Sequence, residues 1–291
     1  MYIFVTSFSE FGYHEYAKNM LESVVEKWNP KHFKLYAYYH DFDINSVDAP
    51  HSETIEYRNL NDIEEMLQYR ERMKQHDGTN GGTQAYNWRM DAIKWCHKVY
   101  ALSDLAFEMM EEEYDESNWM IWLDADTVTT KRLDIKQFPK WLPDKADLVH
   151  LGRKDADYSE TSFLGFNLSS HNTCSIIADF RGAYTIGETI SYREWHDGFI
   201  FERLLNIYKA HGMVTKNLSE HARGLAAFAQ SPLSEYFNHY KGNLKKKLSN
   251  TEVSPDVTGP RRYKQLADIV RFYKPSTILE TGTWNGGRAV E

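Results

Sequence analysis

The chain opens on a nearly unbroken apolar run, residues 2–8 (YIFVTSF). A run this short, rich in aromatic and β-branched side chains, predicts a buried strand. Residues 13–28 then switch to helical spacing, with Tyr13, Ala17, Met20, Leu21, Val24, Val25 and Trp28 on one side, and residues 33–39 return to a strand pattern. Strand, helix and strand in such quick succession predict a βαβ unit of an α/β domain, with parallel strands and ligands past their carboxyl ends. Residues 6–12 are therefore expected to be a loop at a ligand edge. A polar surface helix is expected over residues 61–75. The glycine-rich stretch 76–84 (HDGTNGGTQ) fits no phosphate-binding pattern and reads as a surface connection. The broad apolar stripe of residues 86–110 predicts a long core helix. The WMIWL run at 119–123 predicts a central strand, 147–151 and 162–168 further strands, and 197–210 a helix. Residues 249–262, polar with two prolines and a glycine, read as a linker. No internal repeat is present.

Composition narrows the classes. With 291 residues, 42% of them hydrophobic, the chain is large enough for one or two packed domains and is not a disordered tail. Its 42 acidic residues against 34 basic ones give a net charge of -8, and the one basic cluster is Lys245 to Lys247, so no nucleic-acid partner is expected. No window approaches the roughly 18 apolar residues of a membrane span. Two cysteines, Cys96 and Cys174, allow at most one bridge, and the start lacks a signal-peptide pattern, so a soluble protein of the reducing cytoplasm is expected. The aromatics, 19 Tyr, 15 Phe and 8 Trp, suit either a core or a concave site for ring-shaped ligands.

The candidate chemistry begins where the WMIWL strand ends, at Asp124-Ala125-Asp126-Thr127. Two carboxylates one residue apart can share a divalent cation, and a cation there neutralises a diphosphate. Asp41-Phe42-Asp43 and Asp155-Ala156-Asp157 share the spacing but read as solvated loops. Two charges directly after a strongly apolar strand cost several kcal/mol unless they are paired or bind metal, which singles out Asp124 and Asp126. Far downstream lies His239-Tyr240-Lys241-Gly242-Asn243-Leu244-Lys245. A histidine can ligate a softer divalent such as Mn, a glycine permits close backbone approach, and a lysine reaches a phosphate as a point charge.

The string from Ile121 to Thr127 resembles the metal-binding signature of GT-A fold nucleotide-sugar glycosyltransferases. HYKGNLK is similar to the His-x-x-Gly-x-x-Lys element of glycogenin-like and bacterial lipopolysaccharide glycosyltransferases. The resemblance covers about residues 1–248 and implies a GT-A type Rossmann-like mixed sheet flanked by helices. It also implies Mn2+ or Mg2+ held by Asp124, Asp126 and His239, with Lys245 on the diphosphate. Thr6, Ser7, Asp124 and Gly242 would then border the donor, as would one of Arg89, Lys94 and Lys98 in the long helix, whose commoner reading is exposed helical charge. The chain departs from the glycogenin pattern in a longer helix-to-motif spacing, in lacking Pro-Trp after Lys245, and in its TSFLGFN strand. Residues 160–167 resemble the strand lining the acceptor and sugar pocket, and Asp197 stands where such enzymes carry an acidic residue beside the donor sugar; its other reading is a helix N-cap. The resemblance tilts toward retention at the anomeric carbon. An inverting enzyme would use Asp197 or Glu160 as general base. The acceptor, a glycan, lipid or protein, stays open. Two rivals remain: a haloacid-dehalogenase-like phosphohydrolase with Asp124 as nucleophile, and a sugar-binding module without catalysis.

The last segment, with Glu280, Gly282, Gly286 and Gly287 after an apolar strand, looks like the first motif of class I S-adenosylmethionine-dependent methyltransferases. Residues 263–291 are expected to be the truncated start of such a domain. A piece of roughly 30 residues encloses neither a core nor a cofactor. S-adenosylmethionine would bind only with the full domain, and no methyltransferase activity is expected here.

Overall fold

The computed structural model describes residues 1–111, 119–224 and 226–242. The expectations for Lys245, the linker over 249–262 and the methyltransferase-like segment over 263–291 lie outside the described residues.

Strand β1 (Tyr2–Ser9) runs directly into helix. Ser9 makes the switch, its Oγ accepting the Gly12 N–H at 3.2 Å. The short helix α1 (Glu10–Gly12), a π-helical turn (Tyr13–Ala17) and α2 (Lys18–Lys27) follow without interruption. The loop expected over residues 6–12 is thus replaced by strand end and helix start, because the Ser9 cap satisfies a free amide at once. Next come β2 (Phe33–His40), β3 (Ile55–Asn59), α3 (Glu64–Arg72) and α4 (Ala92–Glu111). The helix expected from residue 86 starts later because Asp91 Oδ1 accepts the Lys94 N–H at 2.8 Å, ending a 3₁₀ turn over Trp88–Met90. After β4 (Trp119–Leu123) come β5 (Thr127–Thr129), α5 (Phe138–Trp141), β6 (Leu148–Leu151) and β7 (Glu160–Asn167). The described chain closes with α6 (His171–Thr185), α7 (Asp197–Ala210), β8 (Thr215–Asn217) and β9 (Phe237–His239).

Among the described residues, seven strands form one sheet in the order β3-β2-β1-β4-β7-β6-β8. The half from β3 to β4 is parallel, whereas β7 runs antiparallel to both β4 and β6. This is an α/β fold with a mixed sheet flanked by helices, the class expected from the sequence. Alternation sorts the central side chains onto two faces. Phe4 and Phe8 of β1 with Ile121 and Leu123 of β4 pack toward α2 and Phe138, while Ile3, Val5, Met120 and Trp122 pack toward α4 and α6. Burial on both faces explains why these strands read as continuous apolar runs. A separate ribbon pairs β5 with β9, setting Thr127 opposite His239. That register carries the end of the described chain back to the central strand. Among the described residues, no helix is long and apolar enough to cross a membrane.

Candidate functional site

The carboxyl ends of β1, β2 and β4 open into a cleft of about 1090 Å³. Asp124 and Asp126 follow β4 directly, in a tight turn closed by the Thr127 N–H donating to Asp124 O at 3.0 Å. The β5/β9 ribbon brings His239 over this turn, with Tyr240 N–H donating to Asp126 O at 2.9 Å. As a result Asp124, Asp126 and His239 each offer a ligand atom within 4.8 Å of the others. His239 Nε2 stands 3.1 Å from Asp126 Oδ1 and 3.8 Å from Asp124 Oδ2.

Each member is oriented by a neighbour. Asp124 Oδ1 accepts from Trp122 Nε1 at 2.7 Å and pairs with Lys98 Nζ at 2.9 Å, which leaves Oδ2 on the His239 side. His239 Nδ1 lies 3.1 Å from Glu160 Oε1, the arrangement in which an outer carboxylate sets a ligating imidazole. Glu160 is buried, and its Oε2 accepts from the Ala227 N–H at 2.9 Å and the Phe228 N–H at 3.4 Å. Lys241 Nζ stands 3.4 Å from Glu160 Oε1. Burial alone would disfavour the His239 cation, yet the hydrogen bonds it donates to Asp126 and Glu160 and the two nearby aspartate charges raise its pKa to about 9. A group so surrounded by carboxylates is a place where a cation is at home, and a divalent ion bound there would take the place of the proton.

Deeper in the cleft, Lys98 is a buried cation held on three sides. Its Nζ pairs with Asp197 Oδ2 at 2.6 Å and donates to Thr161 O at 3.0 Å, while Thr161 Oγ1 donates to the same Asp197 oxygen at 2.6 Å. Burial opposes the Asp197 charge, and the Lys98 cation more than offsets it, so the carboxyl is held below its ordinary range. Asp197 does not cap α7. That role falls to His196, whose Nδ1 accepts the Phe199 N–H at 3.2 Å.

Of the other residues singled out in the sequence, Ser7 lines the cleft and Thr6 is buried within β1. Arg89 sits half-exposed at the rim, 3.4 Å from Glu194. Gly242 borders the cleft with a φ of 59°, a backbone region that favours glycine. The structure thus gathers Asp124, Asp126, His239, Glu160, Lys98 and Asp197 into one connected group and leaves Arg89 at its edge. Trp122, Thr161 and Lys241 were missed. Lys241 stood inside the HYKGNLK string, and Trp122 two residues before Asp124 shares its side of the strand, whereas nothing in the sequence tied Thr161 to Lys98.

No protein-family model matches the chain, and no curated protein matches it. Among solved structures, the chain is similar to mouse xyloside xylosyltransferase 1 in its apo form. That match has 12% identity and a TM-score of 0.43, covering 80% of this chain and 91% of that one. The glycosyltransferase GlyE of Streptococcus pneumoniae TIGR4 matches at 10% identity with a TM-score of 0.40, covering 75% of this chain and 46% of that one.

Proposed function

We propose that this chain is a metal-dependent glycosyltransferase of the GT-A type, moving a sugar from a nucleotide-sugar donor to an acceptor, with retention at the anomeric carbon. The observation that carries the reading is the meeting of Asp124, Asp126 and His239 at the carboxyl end of β4, on the wall of a cleft large enough for a nucleotide sugar and more. Two carboxylates and an imidazole fit a divalent cation, and the nitrogen donor suits Mn better than the oxygen-seeking Mg. When bound, the cation supplies charge neutralisation on the donor's diphosphate and on the departing nucleoside diphosphate.

The chain's own residues do the rest. Asp124 presents Oδ2 while Trp122 and Lys98 hold Oδ1. Glu160 fixes the His239 ring so that Nε2 faces Asp126. In the net transfer, an acceptor hydroxyl oxygen bonds to the anomeric carbon and the bond from that carbon to the diphosphate oxygen breaks. The hydroxyl proton leaves with the nucleoside diphosphate. Glu160 and Asp197 already accept from several protein donors, and a retaining course asks neither to serve as a free base. The phosphohydrolase alternative is not favoured, since it gives His239 no task and asks for attack by a carboxylate that Trp122 and Lys98 hold.

The test is calorimetric titration of a panel of nucleotide sugars with and without Mn. Binding that requires Mn and disappears in Asp126→Ala is the expected result. Binding indifferent to both Mn and Asp126, or phosphate release from simple phosphomonoesters, would refute the proposal.

A further inference from the structure

The cleft extends beyond Asp197 to a wall built from aromatic side chains that the donor reading leaves unused. Trp88, Trp95 of α4 and Tyr158 surround the ring of His196, with centroids 5.0, 6.0 and 4.6 Å from it. All four residues line the cleft, and Trp88 is 39% exposed. Isolated exposed apolar residues are ordinary, but three aromatic rings on the wall of one cleft, those of Trp88 and Trp95 inclined to each other, form an aromatic patch in which Trp88 is the most open.

Polar groups border the rings and are engaged locally. Trp95 Nε1 donates to Trp88 O at 2.7 Å, Glu194 Oε2 takes both Arg89 Nε at 3.4 Å and His196 Nε2 at 3.0 Å, and Arg153 donates twice to Tyr158 O. Arg89, Lys94 and Arg153 also lie over the Trp88, Trp95 and Tyr158 rings at 5.0, 5.1 and 4.8 Å. An exposed contact of that kind is worth only about 0.5–1 kcal/mol, so the half-exposed Arg89 is readily displaced from Trp88 by a ligand that stacks better.

We infer that this wall is the acceptor subsite and that the acceptor is a neutral carbohydrate, an inference that rests on the glycosyl-transfer reading above. A pyranose presents a flat C–H face ringed by hydroxyls. Aromatic faces take the first, and the guanidinium, carboxylate and imidazole groups at their edges take the second. Because Glu194 opposes Arg89 and Asp91 opposes Lys94, an anionic acceptor finds most of the wall's positive charge already countered, while the Tyr158 carbonyl orients Arg153 without cancelling its charge. A lipid tail would call for a continuous apolar groove, whereas here Arg and Lys alternate with the rings. The wall's continuity with Asp197 puts a stacked sugar beside the space for the donor's sugar.

The experiment is saturation-transfer NMR on the wild-type chain with methyl β-glucoside, methyl β-galactoside, methyl β-xyloside and cellobiose. Undecyl phosphate and a serine-rich peptide serve as competitors. The expected result is transfer to pyranose C–H protons, with a dissociation constant at least about tenfold weaker in Trp88→Ala and within about threefold of wild type in Trp88→Phe. Melting curves of both variants guard against misfolding. Absence of sugar binding, equal binding by Trp88→Ala, or displacement of the sugar by undecyl phosphate or the peptide at lower concentration overturns the inference. A parallel nucleotide-sugar titration with Mn separates the two levels. Donor binding without glycoside binding overturns only the acceptor assignment; glycoside binding without donor binding overturns the transferase reading and, with it, the acceptor role.

Discussion

Replacing Lys98 by methionine removes one positive charge from between two carboxylates while keeping most of the side chain's volume. Lys98 and Asp197 are nearly inaccessible, at 9% and 3% side-chain exposure, whereas Asp124 is 28% exposed and keeps its bond from Trp122. The cost therefore falls on Asp197, left as a buried charge without its cation. Removing one partner of a buried pair typically costs about 3–5 kcal/mol. Two features soften it: the Thr161 hydroxyl still donates to Asp197, and the carboxylate lies in the first turn of α7, where the helix dipole favours negative charge by about 0.3–1 kcal/mol. The expected loss is about 3 kcal/mol, or a melting temperature lower by about 6–12 °C for a domain of this size. Scanning calorimetry and urea unfolding at pH 7 measure it. The decisive comparison is Lys98→Met with Asp197→Asn, where the stranded charge is gone, and the double variant should recover at least about 1.5 kcal/mol relative to additivity. A single variant within about 1 kcal/mol of wild type, or strictly additive losses, would refute a buried, charged Lys98–Asp197 pair.

Two more predictions test the framework around the site. Burial first, and the Lys209 charge second, push the His150 pKa from 6.5 down to about 4, so between those values the unfolded ring binds a proton that the folded ring refuses. Stability should fall as pH drops from 6.5 toward 4, by about 3 kcal/mol from this group. In His150→Asn, whose amide N–H can replace Nδ1–H as the donor to Ser159 Oγ while the Ser159 hydroxyl proton goes to Glu202, the gap between urea unfolding at pH 7 and at pH 4.5 should shrink; an unchanged gap would contradict the assignment. Ile121, fully buried in β4 between β1 and β7, should cost about 2–5 kcal/mol when cut to alanine, and a loss below about 1 kcal/mol would mean that β4 is not central.

Legibility in the sequence followed periodicity. The strands at β1, β2 and β4 and the helix at α4 were readable because long apolar runs and stripes report burial directly. The helix α6 was overlooked although Thr173, Ile176, Ile177, Phe180, Ala183 and Tyr184 repeat at helical spacing. Strands β5, β8 and β9 were beyond reach, since three residues make no period. The antiparallel direction of β7 was also hidden, because alternation specifies faces and not strand direction.

The sequence by itself determined which segments must be buried, and hence that Asp124 and Asp126 stand at the end of a central strand, where charge needs a partner. The resemblance placed His239 beside them, and only the tertiary structure decided that Lys98 and Glu160 complete the group. The pairing of β5 with β9 brings His239 to the aspartates, and α4 packed against the sheet carries Lys98 to Asp124 and Asp197. Contacts between residues so distant along the chain leave no mark in local spacing. They exist because the sheet's order and register, set by the burial of its two faces, bring those positions together.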